Sequence, residues 1–265
     1  MSRVSVATLR KMKEAGEKFP ALTAYDASFA HLLDEAGVVV ALVGDSLGMV
    51  LQGQESTVPV TLDEMIYHTR MVCRGCERAM VVADLPFMSY ASPEQAMQSA
   101  ARLMKEGGAH MVKLEGGAVM VETVRALAQR GVPVCAHLGL LPQSVHKLGG
   151  YRVQGRDNAA AEAMLADALA MEQAGADLLV LECIPRQLAR RISEALSIPV
   201  IGIGAGPDTD GQVLVLYDML GITPGKRPSF SHDFLADTGS VSAAIVAYVQ
   251  QVKAGSFPAD AHCFD

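Results

Sequence analysis

Four acidic residues stand where buried strands are expected to end, and they carry the clearest chemical signal in the chain. Asp45, Asp84, Glu115 and Glu182 each close a near-continuous apolar run. Because the carboxyl ends of parallel strands meet on one rim of a barrel, these carboxylates would lie close together and repel one another. A divalent cation relieves that repulsion most simply, and oxygen ligands favour Mg²⁺ over Zn²⁺. Each acidic residue alone could equally cap a helix or form a salt bridge in a loop.

Three further polar residues lie near these acidic positions. Lys113 is two residues before Glu115, so both side chains point to the same face of a strand, and a lysine in the apolar run VKLE needs an anion nearby. That anion is either one of the carboxylates or a substrate. His137 ends the next run and is a candidate hydrogen-bond donor to a substrate, with metal ligation and core packing as alternatives. Ser46 follows Asp45 and could donate a hydrogen bond to a carboxylate.

Two glycine-rich segments fall in loops after predicted strands. The sequence GIGAG at 202–206 does not match the dinucleotide pattern G-x-G-x-x-G. In barrels this position often binds phosphate through backbone N–H groups, and close backbone approach is the alternative explanation. The segment LGGYRVQGR at 148–156 carries Arg152 and Arg156 and follows Lys147, which suggests a mobile basic flap over an anionic ligand.

A repeated unit must position these residues: a stretch with helical periodicity ends in glycine, and a short apolar run of β-forming residues follows. The runs are continuous rather than alternating, which is typical of parallel strands buried on both faces. Helix starts are indicated by Thr61 with Glu64 and by Ser92 with Gln95, both in capping-box spacing. The eight predicted strands lie at 21–24, 38–44, 79–84, 109–115, 132–138, 177–182, 198–203 and 212–217.

Eight β/α alternations in about 250 residues predict an α/β protein with a (β/α)8 TIM barrel, and an open doubly wound sheet is the alternative. No linker rich in proline or serine divides the chain, so we expect one domain over residues 1–265. The C-terminal tail, about 232–265, contains a predicted amphipathic helix at 233–254. Because this helix is extra to the barrel, it is a candidate for contacts between subunits.

Composition excludes several classes of protein. Of the 265 residues 50% are hydrophobic, the net charge is −7 and the isoelectric point is about 5.5, which argues against disorder and nucleic-acid binding. No apolar run reaches the ~20 residues of a membrane helix. The N-terminal segment does not resemble a secretory signal, so we expect a cytoplasmic protein. Five scattered cysteines do not form a disulfide framework, and Cys73 and Cys76 are interpreted as packing residues.

Eight long motifs follow one another from near residue 20 to past residue 200. They are TAYD (23–26), LVGDSLGMV (42–50), VADLPFMSY (82–90), VKLEGG (112–117), AHLGLLPQSV (136–145), GGYRVQGR (149–156), LVLECIP (179–185) and VIGIGAG (200–206). These segments resemble those of the 3-methyl-2-oxobutanoate hydroxymethyltransferase (ketopantoate hydroxymethyltransferase) family, and the resemblance extends past residue 220. One departure is Leu141, where a smaller or polar residue is expected.

The resemblance implies a barrel like those of phosphoenolpyruvate mutase and isocitrate lyase, and the first committed step of pantothenate synthesis. That step transfers a hydroxymethyl group from the co-substrate 5,10-methylenetetrahydrofolate to 3-methyl-2-oxobutanoate and gives 2-dehydropantoate. One Mg²⁺ ion per subunit is expected to polarise the keto acid and stabilise an enolate. The resemblance also implies a homo-oligomer, a decamer.

The same resemblance implies roles for individual residues. Glu182 is the expected general base. The expected metal ligands are Asp45, Asp84 and Glu115. The residues expected to contact the keto acid are Asp45, Ser46, Asp84 and Lys113, with His137 in a supporting, orienting role.

Two other functions are compatible with these residues. A Mg²⁺-dependent lyase or mutase acting on oxo acids would share the metal carboxylates but would need its own acid or nucleophile, often a cysteine in a flexible loop. Cys135 and Cys183 both lie in or beside predicted strands, which argues against it. A non-catalytic barrel that only binds metal or keto acid would not need a base such as Glu182.

Overall fold

A computed structural model describes residues 3–265 and confirms the predicted barrel. Eight parallel strands pair in chain order, and β1 pairs with β8 to close the sheet. The open doubly wound alternative is therefore wrong. The strands are Phe19–Thr23 (β1), Val40–Val43 (β2), Met80–Asp84 (β3), Met111–Glu115 (β4), Val134–Gly139 (β5), Leu178–Glu182 (β6), Val200–Ile203 (β7) and Gly211–Leu214 (β8).

Helices surround the barrel and begin and end at residues suited to those positions. Thr61 and Glu64 form the predicted capping box, and the Ser92 hydroxyl accepts a hydrogen bond from the backbone N–H of Gln95. The helices are Val6–Glu14 (α1), Ala27–Ala36 (α2), Leu47–Val50 (α3), Leu62–Gly75 (α4), Pro93–Arg102 (α5), Val121–Ala128 (α6), Val145–Leu148 (α7), Asn158–Ala174 (α8), Arg186–Ala195 (α9), Leu216–Met219 (α10), Phe234–Thr238 (α11) and Val241–Lys253 (α12).

Strand register sets which polar side chains become neighbours at the carboxyl ends. Lys113 of β4 pairs with Asp84 of β3, and Glu115 pairs with His137 of β5. The strands are buried along almost their whole length, as their continuous apolar runs predicted. Polar residues at the strand ends therefore lie on an apolar core that holds them close together.

Helix α1 covers the opposite, N-terminal end of the barrel, and its existence did not follow from the sequence reasoning. Leu9 is fully buried against the residues that fill the barrel interior. The Lys13 ammonium lies 2.7 Å from Asp210, just before β8, and the Arg10 guanidinium lies 3.0 Å from Asp177, just before β6. These contacts place α1 at the starts of the strands, away from the polar residues.

The single helix predicted at 233–254 is wrong, because the segment forms two helices. α11 ends at Gly239, which has a φ of 75°, and the Ser240 hydroxyl then accepts a hydrogen bond from the Ala243 N–H to start α12. Tyr248 of α12 is fully buried, and its hydroxyl lies 2.9 Å from the Ala21 carbonyl oxygen and 2.8 Å from that of Gln212. α12 therefore covers the seam where the first and last strands meet.

The structure agrees with packing as the role of Cys73 and Cys76. Both thiols are free, and burial raises the pKa of Cys73 to about 11 and that of Cys76 to about 12. Such thiols are poor nucleophiles at neutral pH. No helix in the described chain, residues 3–265, is long and apolar enough to cross a membrane.

Candidate active site

A cavity of about 540 Å³ opens at the carboxyl ends of the strands, the rim where barrel enzymes usually place their chemistry. The polar residues that line its inner end form the floor. The floor consists of Asp45, Asp84, Lys113, Glu115, His137 and Glu182. Sequence analysis predicted all six, and Ser46 also lines the cavity.

The centre of the floor is a buried ion pair. The Lys113 ammonium donates a hydrogen bond to Asp84 at 2.7 Å, and both side chains are about 95% buried. Burial opposes the positive charge of Lys113, but the carboxylates of Asp84, Glu115 and Asp45 outweigh it and raise the pKa of the lysine. Lys113 therefore stays charged, and Asp84 supplies one of the anions that a lysine in this run needs.

Asp45 lies among other carboxylates in a buried position. Burial, and then the negative charges of Asp84 and Glu115, raise its pKa well above the usual value. The backbone N–H of Asp45 donates to Asp84 at 3.1 Å, and the Gln143 amide donates to the Asp45 carboxylate at 2.8 Å. An added positive charge would favour the ionised form of Asp45.

Gln143 connects several floor residues, and sequence reasoning assigned it no role. Its backbone N–H donates to Glu115 at 3.1 Å, and its side-chain amide also donates to the Leu85 carbonyl at 2.9 Å. The Tyr90 hydroxyl in turn donates to the Gln143 side-chain oxygen. Although Gln143 lies in a motif of the resemblance, a single glutamine after proline carries no spacing signal, so only the fold reveals this bridge.

His137 lies between two carboxylates. Its Nδ1 is 3.5 Å from Glu115 and its Nε2 is 3.3 Å from Glu182, distances of ion pairs without hydrogen-bond geometry. Burial and the charge of Lys113 lower the pKa of His137, but the two glutamates outweigh them and raise it. The imidazole thus lies between Glu115 and Glu182. The Glu182 side chain is 14% exposed and is therefore more open than those of Asp84 and Glu115, at 4% and 3%.

The backbone turns sharply after Glu182. Cys183, the next residue, has a φ of 47°, which is unusual for a residue other than glycine. Its N–H donates a hydrogen bond to the Ile203 carbonyl, and its own carbonyl accepts one from the Gln154 N–H. These two bonds hold the turn. A Cβ at Gly139 would lie 2.2 Å from the Glu182 carbonyl oxygen, so glycine is required for this close approach.

Ser46 does not donate to a carboxylate as expected. Its hydroxyl lies 2.9 Å from that of Tyr25, a fully buried side chain whose pKa burial raises. Neither Tyr25 nor Tyr90, the two tyrosines near the site, was singled out from the sequence, because isolated aromatic residues are typical of core packing. Ser46 is nonetheless part of the cavity wall.

The outer part of the cavity has a different character. The loop after β5 contributes two aromatic or basic residues, and the segment after α10 together with the C-terminal end contributes the others. We call this set the mouth: Tyr151, Arg152, Lys226, Arg227, Phe230 and Phe264. Of the predicted basic flap, Arg152 lines the cavity whereas Lys147 and Arg156 do not. Residues 223–230 were not predicted to reach the site.

The charge of the floor favours a cation, although the carboxylate and imidazole groups are not close enough together to form a complete metal centre. Four carboxylates are offset only by Lys113 and His137. Within residues 3–265, no three His, Cys, Asp or Glu side chains are grouped so that they could hold a metal ion. Mg²⁺ usually retains waters and uses only one or two carboxylates with its substrate, so the oxygen donors of the floor fit it. The three-ligand assignment stays a prediction.

The family model described as ketopantoate hydroxymethyltransferase matches residues 3–260 of this chain. The chain belongs to this family. Among curated relatives, the 3-methyl-2-oxobutanoate hydroxymethyltransferase of Alkalilimnicola ehrlichii is 62% identical over 98% of this chain and 94% of its own. That of Nitrosococcus oceani is 62% identical over 97% of this chain and 98% of its own. The resemblance inferred from the motifs is confirmed.

Solved structures with similar folds are more distant in sequence. A 2,3-dimethylmalate lyase, a member of the phosphoenolpyruvate mutase/isocitrate lyase superfamily, is 20% identical, covers 82% of each chain and has a TM-score of 0.59. A phosphonopyruvate hydrolase in complex with oxalate and Mg²⁺ is 13% identical over 79% of this chain and 80% of its own, with a TM-score of 0.61. These similarities confirm the predicted barrel type and concern the fold alone.

Proposed function

We propose that this chain transfers a hydroxymethyl group from 5,10-methylenetetrahydrofolate to 3-methyl-2-oxobutanoate and produces 2-dehydropantoate. Family membership supports the reaction class. The structural observation that carries the proposal is the position of Glu182, the most open carboxylate of those measured in the floor, beside the buried imidazole of His137. Such an arrangement suits proton abstraction next to a carbonyl group.

Lys113 is the proposed anchor for the carboxylate of the keto acid. An ammonium has three donors, and Asp84 accepts one hydrogen bond from it. The remaining donors are available to an anion that enters the cavity. Asp45, Ser46 and His137 line the same wall and would complete the contacts to the keto acid.

Asp45, Asp84 and Glu115 are the residues proposed to hold one Mg²⁺ ion. When bound there, the ion would act as a Lewis acid towards the keto oxygen. Gln143 holds both Asp45 and Glu115, and Lys113 holds Asp84, so the chain fixes the orientation of these carboxylates itself. A phosphonopyruvate hydrolase with the same fold was solved with oxalate and Mg²⁺, which supports a divalent ion in a barrel of this type but assigns no ligand residues.

Glu182 is the proposed general base. It takes the C3 proton of the keto acid and so forms the enolate. Water adds to the methylene carbon of the iminium form of the folate, and the N–C bond breaks to release tetrahydrofolate and formaldehyde. The enolate carbon then attacks the formaldehyde carbon, whose oxygen takes up a proton and becomes the hydroxyl of the hydroxymethyl group. His137 lies 3.3 Å from Glu182 and acts as its positioning partner. A base held by a buried imidazole keeps a fixed direction towards the substrate.

Product formation, followed by NMR with and without excess chelator, tests the reaction. We expect 2-dehydropantoate only with the keto acid, methylenetetrahydrofolate and divalent metal all present. In D₂O without the folate, we expect exchange of deuterium at C3. Exchange without transfer would contradict the folate donor and leave the enolate chemistry, whereas neither exchange nor product from folded protein would contradict the proposal and favour a lyase or mutase.

Assembly and location complete the proposal. We propose that the whole chain acts as one domain, that copies form a homodecamer, and that the protein works in the cytoplasm. Large apolar side chains on the surface support association of copies: Tyr67 is 61% exposed, Met88 59% and Val119 81%. Light scattering coupled to gel filtration measures the assembly, and a monomer at micromolar concentration would contradict the decamer.

A further inference from the structure

The cavity is larger than a small keto acid needs. Pockets of 300–1,000 Å³ typically enclose drug-sized ligands. At about 540 Å³ this cavity lies within that range, whereas 3-methyl-2-oxobutanoate has only five carbons. If the keto acid occupies the floor, the mouth has room for part of a second and larger ligand.

The mouth differs from the floor in the sign of its charge. Arg152 and Lys226 are exposed side chains, and neither forms an ion pair with a carboxylate anywhere in the part of the chain that the structure describes. Arg227 is 3.5 Å from Asp233, a pair in which both side chains are partly exposed. Free cations at the entrance attract an anionic ligand. In the floor, Lys113 is already paired with Asp84, so the mouth is the more basic end of the cavity.

Aromatic side chains accompany these cations. The rings of Phe230 and Phe264 lie 6.4 Å apart in an edge-to-face arrangement, and Gly204 approaches both so closely that a Cβ would lie 2.9 Å from Phe230. Tyr151 lies with its hydroxyl 3.2 Å from the Met49 sulfur. Flat, partly buried rings next to unpaired cations suit a ligand with a fused aromatic ring and a carboxylate tail.

The mouth also lies close to the floor. Tyr151, Arg227 and Asp218 line the same cavity as Glu182 and Asp45. Burial, and then the charges of Glu182, Asp45 and Glu115, raise the pKa of Tyr151, which agrees with this placement. A ligand held in the mouth would therefore present one end to the base.

From this contrast we propose that the mouth binds the folate donor, with the pterin ring near Tyr151, Phe230 and Phe264. In this arrangement Arg152 and Lys226 bind the carboxylates of its glutamate tail. The inference rests on the proposed function, which supplies the donor. It assigns the tail to the outer, basic end of the cavity, because the keto acid occupies the floor in the proposed function. A longer oligoglutamate tail should then bind more tightly than a single glutamate.

The test measures the binding of two forms of tetrahydrofolate, which differ in tail length, to four proteins. Tetrahydrofolate with one glutamate and with an oligoglutamate tail is titrated calorimetrically at low salt into the full-length wild type. The variants are Arg152→Ala combined with Lys226→Ala, Arg152→Lys, and Arg156→Ala. The last is the matched control, since Arg156 lies in the same loop but does not line the cavity. Exchange of deuterium at C3 of the keto acid is measured in parallel without folate.

We expect the double variant to bind the oligoglutamate form on the order of tenfold more weakly, since each exposed ion pair contributes a modest amount. The single-glutamate form should lose less affinity, and Arg152→Lys should retain most of it. Arg156→Ala should match the wild type in both folate affinity and C3 exchange. Unchanged affinity in the double variant, an equal loss for both tail lengths, or no binding to wild type would overturn the inference. Tail-dependent binding without product would support the mouth and contradict the proposed reaction.

Discussion

The floor and the mouth of the cavity differ in burial, in the pairing of their charges and in the elements that carry their side chains. Floor side chains project from strand ends and from the residues just after them, are buried or nearly so, and contact one another, as in the 2.7 Å pair of Lys113 with Asp84. Mouth side chains project from loops, are largely exposed, and leave two cations without a carboxylate partner within residues 3–265. The floor is therefore coupled to the stability of the fold, whereas the mouth is available to a ligand at little structural cost.

The largest expected effect concerns the reactive end of the floor. Glu182→Gln keeps the shape of the side chain but removes the base, so we expect turnover to fall by about 10²–10⁴-fold. Binding of the keto acid, measured by calorimetry with metal present, should change little. Glu122→Gln alters a glutamate that is 78% exposed and serves as the control. Wild-type turnover in Glu182→Gln would contradict the role of this residue.

Next in size is removal of the buried cation. Lys113→Met leaves Asp84 buried and unpaired, so we expect the free energy of unfolding to fall by about 3–5 kcal/mol in urea titrations. Lys105→Met, at an exposed position, should have almost no effect. Adding Asp84→Asn to Lys113→Met should restore part of the loss. Simple additivity of the two substitutions would show that the pair is not coupled.

A smaller loss is expected at the glutamine that bridges the carboxylates. Gln143→Leu removes the donors to Asp45 and the Leu85 carbonyl and leaves the Tyr90 hydroxyl without its acceptor. The free energy of unfolding should fall by about 1–3 kcal/mol. Gln129→Leu, on the surface, is the control. A stability equal to wild type would mean that the floor tolerates loss of the bridge, and the contrast with the mouth would weaken.

The smallest effect on stability should come from the mouth. Arg152→Ala and Lys226→Ala each remove an exposed side chain without an internal partner, so the free energy of unfolding should stay within about 0.5 kcal/mol of wild type. Chemical denaturation of both variants beside Lys113→Met provides the direct comparison. A loss of several kcal/mol in either mouth variant would show that these cations have a structural role, and the division between floor and mouth would fail.

Sequence reasoning found the floor because local patterns determine it. Continuous apolar runs located all eight strands, and the shared rim of a parallel barrel then brought Asp84, Glu115 and Glu182 together. Lys113 was also identified, since a lysine within such a run requires an anion. What the pattern could not supply was the partner: the register of β3 against β4, not any spacing in the sequence, pairs Lys113 with Asp84.

The mouth and the bridge were missed because they depend on contacts between distant segments. Gln143 reaches Asp45 from 98 positions away, and residues 223–230 return to the cavity only after β8 has closed the barrel. The break between α11 and α12 was missed for a local reason: Gly239 and Ser240 form a stop and a start inside one continuous amphipathic pattern. Loops carry less periodic information than strands, and their placement follows from the fold.

Closure of the barrel by its own ends has a consequence for synthesis. β1 pairs with β8, and the hydroxyl of Tyr248 contacts both strands. The partner of β1 on this side therefore lies roughly 190 residues later in the chain. At about 5–20 residues per second, a ribosome needs roughly ten to forty seconds to deliver that partner. During this interval the edge of β1 is unpaired and open to association with other chains. Closure of the barrel therefore cannot be completed before β8 has been synthesised, and this edge of β1 lacks its native partner until then.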